Sequence, residues 1–430
     1  MNTKVLAIAV ILIIVGSGVI LYIDNSQDNM NTNSQIPYSP NLPNLEDITE
    51  VSRYEAYQIT TPEGLIKFSL LSNSDSDKFR TNTVYLAEDL DMSGVSNFTP
   101  INFDGYFYGQ GYTISNLKIS SDELQYVGLF GYLRGSIHDL GIVDSEITAT
   151  KYSGALYVGG FAGYMYATFA EISNCYFSGT VSASPNSNSS YSPCMAGGIA
   201  GYLTSSAGIW SCYNLGSVSV STGNNEAYAG GIAGYVNRDS DGSQAELHHC
   251  YNLGAVSAST SGSKTAYAGG VAGYVTVTNH ENMVRHTYYL DKSTPYAYHN
   301  ASGSSSHKYA TGIMTSEELR NIDLTLLEGF VKDEWNINNG YPIFEWQAPE
   351  LYTVSFDSNG GSEVEYQSVY EGEKAVKPVD PVKENKVFWY WSKDGQEYDF
   401  DSVVSSDLKL TAEWYDKLMF ISYPPSSGGM

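Results

Sequence analysis

The chain is poor in basic residues and cysteine, and residues 128–278 lack helical periodicity. Lys and Arg total 22 against 47 Asp and Glu, a net charge of −25 over 430 residues. A surface of that sign repels nucleic acid and anionic lipid and keeps an exposed protein soluble, so nucleic-acid binding is excluded. Only four cysteines occur, Cys175, Cys194, Cys212 and Cys250, and no Cys-x-x-Cys pair is among them. That removes the common zinc and dithiol signatures. The zinc-peptidase helix also fails: His280-Glu281 is followed by Val284 where a second His is required, and His286 is out of register. Between 128 and 278 the basic residues are Arg134, Lys151, Arg238 and Lys264, and nothing there resembles the base of a polysaccharide lyase.

Glycine, tyrosine and repetition are abundant. GGFAGY at 159–164 recurs as GGIAGY at 197–202, GGIAGY at 230–235 and GGVAGY at 269–274. CYFSGTV at 175–181 recurs as CYNLGSV at 212–218 and CYNLGAV at 250–256. Gly131, Gly163, Gly201, Gly234 and Gly273 follow one another at 32, 38, 33 and 39 residues. Ile137, Cys175, Cys212, Cys250 and Thr287 are read as a second column, with Ile137 and Thr287 as degenerate terminal members. A unit this short buries its apolar face only by stacking on its neighbours. Val218 and Val220 alternate with Ser217 and Ser219, a period of two that marks strands. The expectation is an all-β chain built on a parallel, right-handed β-helix, with antiparallel propeller blades as the runner-up.

These residues resemble GLUG-motif proteins, a family of extracellular β-solenoids. YLAEDLDMSG at 85–94 and FDGYFYGQGYTISNLKI at 103–119 are similar to the family's opening segment, and YVGLFGYL at 126–133 to its first turn. TYYLD at 287–291, TGIMTSEEL at 311–319 and WNINNGYPIFEWQ at 335–347 are similar to its closing segment. Further on, FDSNGG at 356–361, Pro378, Pro381, the aromatic run Phe388 to Trp391 and the closing Leu410 to Trp414 resemble the Listeria–Bacteroides repeat, a small β-grasp-like module of surface proteins. Tyr390 stands where that family usually has Gly.

The resulting map runs in seven segments: 1–23 a signal anchor read as one transmembrane helix, 24–50 a flexible stalk, 51–127 the solenoid's opening segment, 128–290 the GLUG repeats, 291–349 the closing cap, 350–415 the repeat module and 416–430 a tail. Val5 to Ile23 is uncharged, and as a helix it spans roughly 28 Å, close to a hydrocarbon core. Lys4 precedes it while Asp24 and Asp28 follow, which orients the bulk of the chain outward. Secretion after signal cleavage is the alternative.

Candidate sites are few. Tyr176, Tyr213, Tyr251 and Tyr288 repeat as one column, and Tyr132, Tyr164, Tyr202, Tyr235 and Tyr274 as another. A solvent-facing column suits sugar stacking or protein contact, and the Tyr176 column is taken as the candidate binding surface. Asn97, Asn188 and Asn300 sit in glycosylation sequons. Asn237, Asp239 and Asp241 have the oxygen spacing of half a calcium loop, but His248 stands at its twelfth position. No other cofactor is expected. Asp89, Asp91 and Asp104 are read as turn residues, and the cysteines as a buried inward ladder, with Cys194 in a loop. The expected function is a non-enzymatic, adhesin-like surface protein that binds envelope or host glycans or surface proteins. A polysaccharide-active β-helix enzyme is the alternative.

Overall fold

The structure, a computed structural model, describes residues 9–15, 18–24, 41–48, 50–53, 55–75, 77–150, 154–168, 170–185, 192–239, 242–276, 283–290, 294, 296–300, 303–305, 307–308 and 311–417. It divides into two units, one of 1–332 with 338–345 and one of 333–337 with 346–430.

In the first unit the chain winds through four sheets of 5, 8, 8 and 12 strands. One full coil runs Leu156–Gly159 on the first face, Ala162–Tyr166 on the second, Glu171–Ser173 on the third and Tyr176–Ala183 on the fourth. The next coil places Cys194–Gly197, Ala200–Thr204, Gly208–Trp210 and Tyr213–Asn214 in parallel register on these four strands. This is the expected parallel solenoid, and the propeller reading falls with its antiparallel blades. The coils before Tyr126 lack the first face.

The two halves of the repeated cassette are coupled sterically. The second glycine of each Gly-Gly pair faces the residue two positions after the Cys column. A Cβ on Gly160, Gly198, Gly231 or Gly270 would lie 2.4, 2.4, 2.3 and 2.0 Å from Phe177, Asn214, Asn252 and Tyr289. In the middle coils that residue is a fully buried asparagine. Asn214 Nδ2 donates to Asn252 Oδ1 at 2.8 Å and to Gly216 O at 2.8 Å, while Gly216 N donates back to Asn214 Oδ1 at 2.9 Å. Asn252 closes the same loop on Gly254. Such a ladder satisfies buried amides that would otherwise cost about 1–3 kcal/mol each.

The cysteine column requires one correction. Gly141 pairs with Tyr176, so the residue under Cys175 is Leu140; Ile137 pairs instead with Ile172. Matching on near-uniform spacing shifted the first coil by three residues, because loop lengths differ between coils. The corner before each column member is left-handed: Asp139, Asn174, Ser211, His249 and His286 have φ of 54°, 52°, 49°, 53° and 45°. The four cysteines are buried and unpaired by disulfides. Cys175, Cys212 and Cys250 each donate to the carbonyl two residues earlier at 3.1–3.2 Å, and Thr287 does the same at 2.8 Å. Thr therefore replaces Cys by shape and by hydrogen bond. Burial pushes the Cys175 and Cys250 thiols up. Cys194 opens a first-face strand and points inward, not into a loop.

One unforeseen element caps the solenoid. The helix Pro62–Ser74 starts on Thr61, whose hydroxyl accepts from Gly64 N at 3.0 Å. Its Phe68 packs against Phe79, Phe103 and Phe107 at 5.0, 5.3 and 6.0 Å between rings. Asn73 Oδ1 accepts from Asn102 N at 2.9 Å on Ile101–Phe103, the edge strand of the second face. A covered edge offers no template for further pairing. The other end finishes in antiparallel hairpins, Tyr298–Asn300 with Gly303–Ser305 and His307–Lys308 with Thr311–Met314.

The expected transmembrane helix differs from the structure. Ala9–Val15 and Gly18–Asp24 are two strands in antiparallel pairing, and no described helix is long and apolar enough to cross a membrane. Val10, Ile11, Ile13, Ile14, Val15, Val19, Ile20 and Ile23 are β-branched and favour strands, with Gly16 and Gly18 against a continuous helix.

The second unit is a five-stranded mixed sheet. Its first long strand, Leu351–Asp357, lies between Gln367–Tyr370 and Leu408–Asp416, and pairs with the latter in parallel. Asn359 and Gly360 take φ of 49° and 80° at the expected turn. Val354, Phe356, Trp391, Leu410 and Ala412 form the core.

The coupling of Gly-Gly to asparagine is testable. In Gly231→Ala the new methyl meets Gly270 O at 2.2 Å and the Asn252 amide at 2.3 Å. A loss of about 1–3 kcal/mol is expected from chemical denaturation. Gly94→Ala, which meets nothing within 4 Å, serves as the silent control.

Candidate functional site

The two tyrosine columns have opposite fates. Tyr176, Tyr213 and Tyr251 stack at 4.9 Å with interplanar angles of 8° and 2°. Tyr213, Tyr251 and Tyr288 are nevertheless buried, at 1%, 0% and 4% exposure, and only Tyr176 is half-buried. The closing segment folds back over them. Phe344 lies 5.2 Å from Tyr213 and Phe330 lies 5.3 Å from Tyr251. The Tyr251 hydroxyl donates to Pro342 O and accepts from Asn338 Nδ2 at 2.9 Å. This column is packing, and its assignment as the binding surface is corrected. Periodicity reveals a column but not what returns to cover it.

The other column stays half-exposed on the second face. Tyr132, Tyr164, Tyr202, Tyr235 and Tyr274 stand in register through five coils. Successive ring centroids are 5.4, 5.3, 5.3 and 5.2 Å apart, and the rings lie within 21° of parallel. The flanking Leu133, Met165, Leu203, Val236 and Val275 point inward and are fully buried, so strand alternation aims the tyrosines out.

A second row, missed in the sequence, runs along the first face. Tyr126 pairs with Tyr157, and Tyr228 with Tyr267, with Met195 in register between the two pairs. Its rings meet the first row edge-on: Tyr157 to Tyr202 at 5.2 Å and 69°, Tyr228 to Tyr235 at 5.2 Å and 86°. The signal was present in LYVGG, AYAGG and AYAGG, two residues before each Gly-Gly, but CMAGG interrupts it.

Stacking sets what this surface can do. Each ring face lies against its neighbours, so the ladder offers solvent its ring edges and hydroxyls. Sugar stacking needs an open face, which the interior of a stack lacks. The surface is a rigid, neutral array of phenols whose side-chain entropy is already lost, the condition under which tyrosine contacts are inexpensive. Tyr228 hydroxyl donates to Glu226 Oε2 at 2.7 Å. At one end the Arg134 guanidinium lies 5.9 Å from the Tyr132 ring and 3.0 Å from Asp104 and from Asp77. At the other end His299 pairs with Tyr274. Burial raises the Tyr132, Tyr157, Tyr164, Tyr202, Tyr228 and Tyr274 phenols, and pushes Tyr235 up to about 12, with Tyr274 beside it adding to the effect.

The remaining candidates are placed as follows. Asp239 accepts from the hydroxyls of Thr204 and Ser205 and from Asn237 Nδ2 at 2.8 Å, while Asp241 lies outside the described residues. Asn97 is exposed and holds Ser120 through both amide atoms, at 2.7 and 3.1 Å. Asn300 ends a strand, half-buried, and Asn188 lies outside the described residues, as do His280 and Glu281. Asp89 accepts from Thr113 N at 2.7 Å, and Asp91 from Asn116 Nδ2 at 2.9 Å, so both tie one coil to the next. Burial raises Asp104, against the pull of Arg134 and Arg80. His249 and His286 sit at the corner beneath the closing segment, 5.0 Å apart, and Glu328 N donates to His249 Nδ1 at 3.3 Å.

Two pH dependences follow. The ladder phenols are raised above their ordinary value of about 10, so the folded state holds protons that the unfolded chain releases. Their contribution to stability is present below pH ~10 and is lost as pH rises beyond it. Tyrosinate absorbance and circular dichroism are expected to move together there, with ladder phenols ionising as the fold opens. Burial lowers His249, His286 and His299. Their contribution is present above pH ~6.5 and is lost as pH falls through that value. Denaturation between pH 7 and 5 should show that loss, with a smaller slope in His249→Asn.

Comparison with known proteins matches the same segments. Residues 154–182 match the family described as the GLUG motif, and residues 352–413 match the Listeria-Bacteroides repeat domain. A protein of Evansella cellulosilytica provisionally named a Gly-rich membrane protein is 36% identical over 88 residues, 20% of this chain and 10% of that protein. A second, provisionally named a membrane protein of the same organism, is 36% identical over 88 residues, 20% of this chain and 13% of its own length. The match thus spans about a tenth of these curated relatives. A solved structure from Bacteroides ovatus, provisionally named an immunoglobulin A1 protease, aligns with a TM-score of 0.44 and 21% identity over 68% of this chain and 92% of that one. Fold, repeats and matched segments agree: the chain is a parallel β-solenoid bearing the GLUG motif, followed by a Listeria–Bacteroides repeat domain.

Proposed function

We propose that this is an extracellular, adhesin-like binding protein that engages glycans or surface proteins through the outer double tyrosine row. The observation that carries the reading is the half-exposed ladder running unbroken from Tyr132 to Tyr274. Phenols locked by stacking present hydroxyl donors and acceptors at a fixed spacing, with little entropy left to lose on contact. The surface-protein repeat domain and the membrane-protein names of the two Evansella relatives support an address outside the membrane and attached to it. The apolar residues 5–23 are the proposed attachment.

The enzyme reading has one observation in its favour, the half-buried Asp104 carboxyl, raised above its ordinary range by burial. Asp104 is paired with Arg134, which fits a structural role as well.

The test is a binding screen of the purified chain against envelope polysaccharides and surface proteins, with mass spectrometry of every bound ligand. Tyr164→Ala with Tyr202→Ala is expected to weaken binding by about tenfold or more, the scale of interface tyrosine hot spots. Tyr176→Ala, on the other column, is expected to leave it unchanged. New fragments of the ligand would replace the adhesin reading with the enzyme one.

A further inference from the structure

The outer tyrosine row carries a measure of length. Among the described residues, no protein group hydrogen-bonds the hydroxyls of Tyr132, Tyr164, Tyr202, Tyr235 and Tyr274. One free hydroxyl therefore stands on each of five successive coils. Coils repeat at about 4.8 Å, and the rings follow one another at 5.2–5.4 Å. The row also borders a furrow. Tyr157 and Tyr228 point outward from the first face, because Leu156, Val158, Ala227 and Ala229 beside them are fully buried. Outward side chains diverge across a convex corner. Here Tyr157 and Tyr228 meet Tyr202 and Tyr235 edge-on at 5.2 Å. The corner between the first and second faces is thus re-entrant, and it runs along the solenoid axis.

A straight furrow with one hydroxyl per coil selects a linear polymer by its repeat. An extended peptide advances about 3.3 Å per residue and shows the same side every second residue, about 6.6 Å. A polyproline II helix advances about 3.1 Å per residue. Neither keeps step with the coils. An α-helix comes nearer, at about 5.4 Å per turn, but helices dock by an apolar stripe in an apolar groove, and this furrow exposes ring edges and hydroxyls. An extended β-1,4-linked glycan advances by one pyranose ring and one bridging oxygen per sugar, within a few tenths of an ångström of one coil. Its equatorial hydroxyls lie along its edges, where phenol hydroxyls both donate and accept. Charge narrows the class further. Besides burial, Asp239 raises the Tyr164 and Tyr202 phenols, and Glu226 those of Tyr235 and Tyr274. Arg134 stands at one end and is already paired with Asp77 and Asp104. A polymer with carboxylates or phosphates of its own is repelled from such a row in a chain of −25.

We propose that the ladder binds an uncharged, extended β-1,4-linked polysaccharide laid along the solenoid axis, one sugar to each coil. This rests on the ladder being the binding surface and names its ligand. A single neutral hydroxyl contact is weak, so affinity accumulates along the row. Five tyrosines in register make a site that counts five sugars.

The test titrates the full chain by calorimetry with cello-oligosaccharides and N-acetylchito-oligosaccharides of two to six sugars. Maltohexaose, α-linked and coiled, is the control. Affinity should rise about two- to tenfold with each sugar, the scale of one net hydrogen bond, and level off at the fifth. Either series satisfies the proposal, and the tighter one identifies the sugar. Tyr202→Phe keeps the ring stack and removes one hydroxyl, so it should cost one such step with five-sugar chains. No binding of six-sugar chains, equal binding of maltohexaose, affinity independent of length, or capture of a surface protein without any glycan would each overturn the proposal. Those outcomes leave the ladder as the binding surface wherever Tyr164→Ala with Tyr202→Ala abolishes capture. Glycan binding untouched by that pair of substitutions would remove the ladder reading as well.

Discussion

The solenoid rests on in-register parallel pairing, which sets each residue directly over its counterpart in the next coil. At the strand spacing of about 4.8 Å, every column must tolerate its own side chain stacked on itself. Few residue types do so. Tyr stacks ring on ring, Asn links amide to amide, Cys and Thr each bond the carbonyl two residues back, and Gly makes room for the column beside it. Those four solutions are the repeated cassette. The sequence repeats because one packing problem is solved at every turn.

This explains what could be read without a structure. The Gly-Gly and Cys-Tyr-Asn halves of the cassette are visible because each is one column of an inward or outward ladder. The alternation of Val218 and Val220 with Ser217 and Ser219 is visible for the same reason, as the valines are buried and Ser217 is exposed. The repeat domain at the end was legible from its turn and aromatic spacing. What escaped lies where coils are unequal. Leu140 takes the place assigned to Ile137 because loop lengths vary between coils. The second tyrosine row was hidden by Met195.

Other features escaped because they depend on long-range return of the chain. Phe330, Pro342 and Phe344 cover Tyr213 and Tyr251 from some 80 to 130 residues away. No local pattern distinguishes a tyrosine column that will be covered from one left open. The strand alternation that aims both columns outward is the same. The difference lies in a closing segment with enough apolar side chains to lie on one face and not on the other. The capping helix is a partial exception, since Thr61, Pro62 and Glu63 form a legible helix start.

The same stacking rule constrains charge. Like charges one coil apart would repel by about 1 kcal/mol per neighbour at 4 Å even in bulk water, and by more at a protein surface. A chain of −25 cannot place its carboxylates in columns. Among the described strand pairs none sets a carboxylate over a carboxylate; Glu146 lies beside Lys118 and Thr180, and Glu171 beside Ser136 and Gly208. The acids sit instead at corners, in loops and at the ends, as Asp89, Asp91, Asp104 and Asp239 do. The ladder is consequently neutral in an acidic protein. Along the tyrosine surface fixed charge enters beside the rings, at Glu226 against Tyr228 and at Arg134 against Tyr132, while contacts on the stacked rings themselves are made through phenol hydroxyls and ring edges.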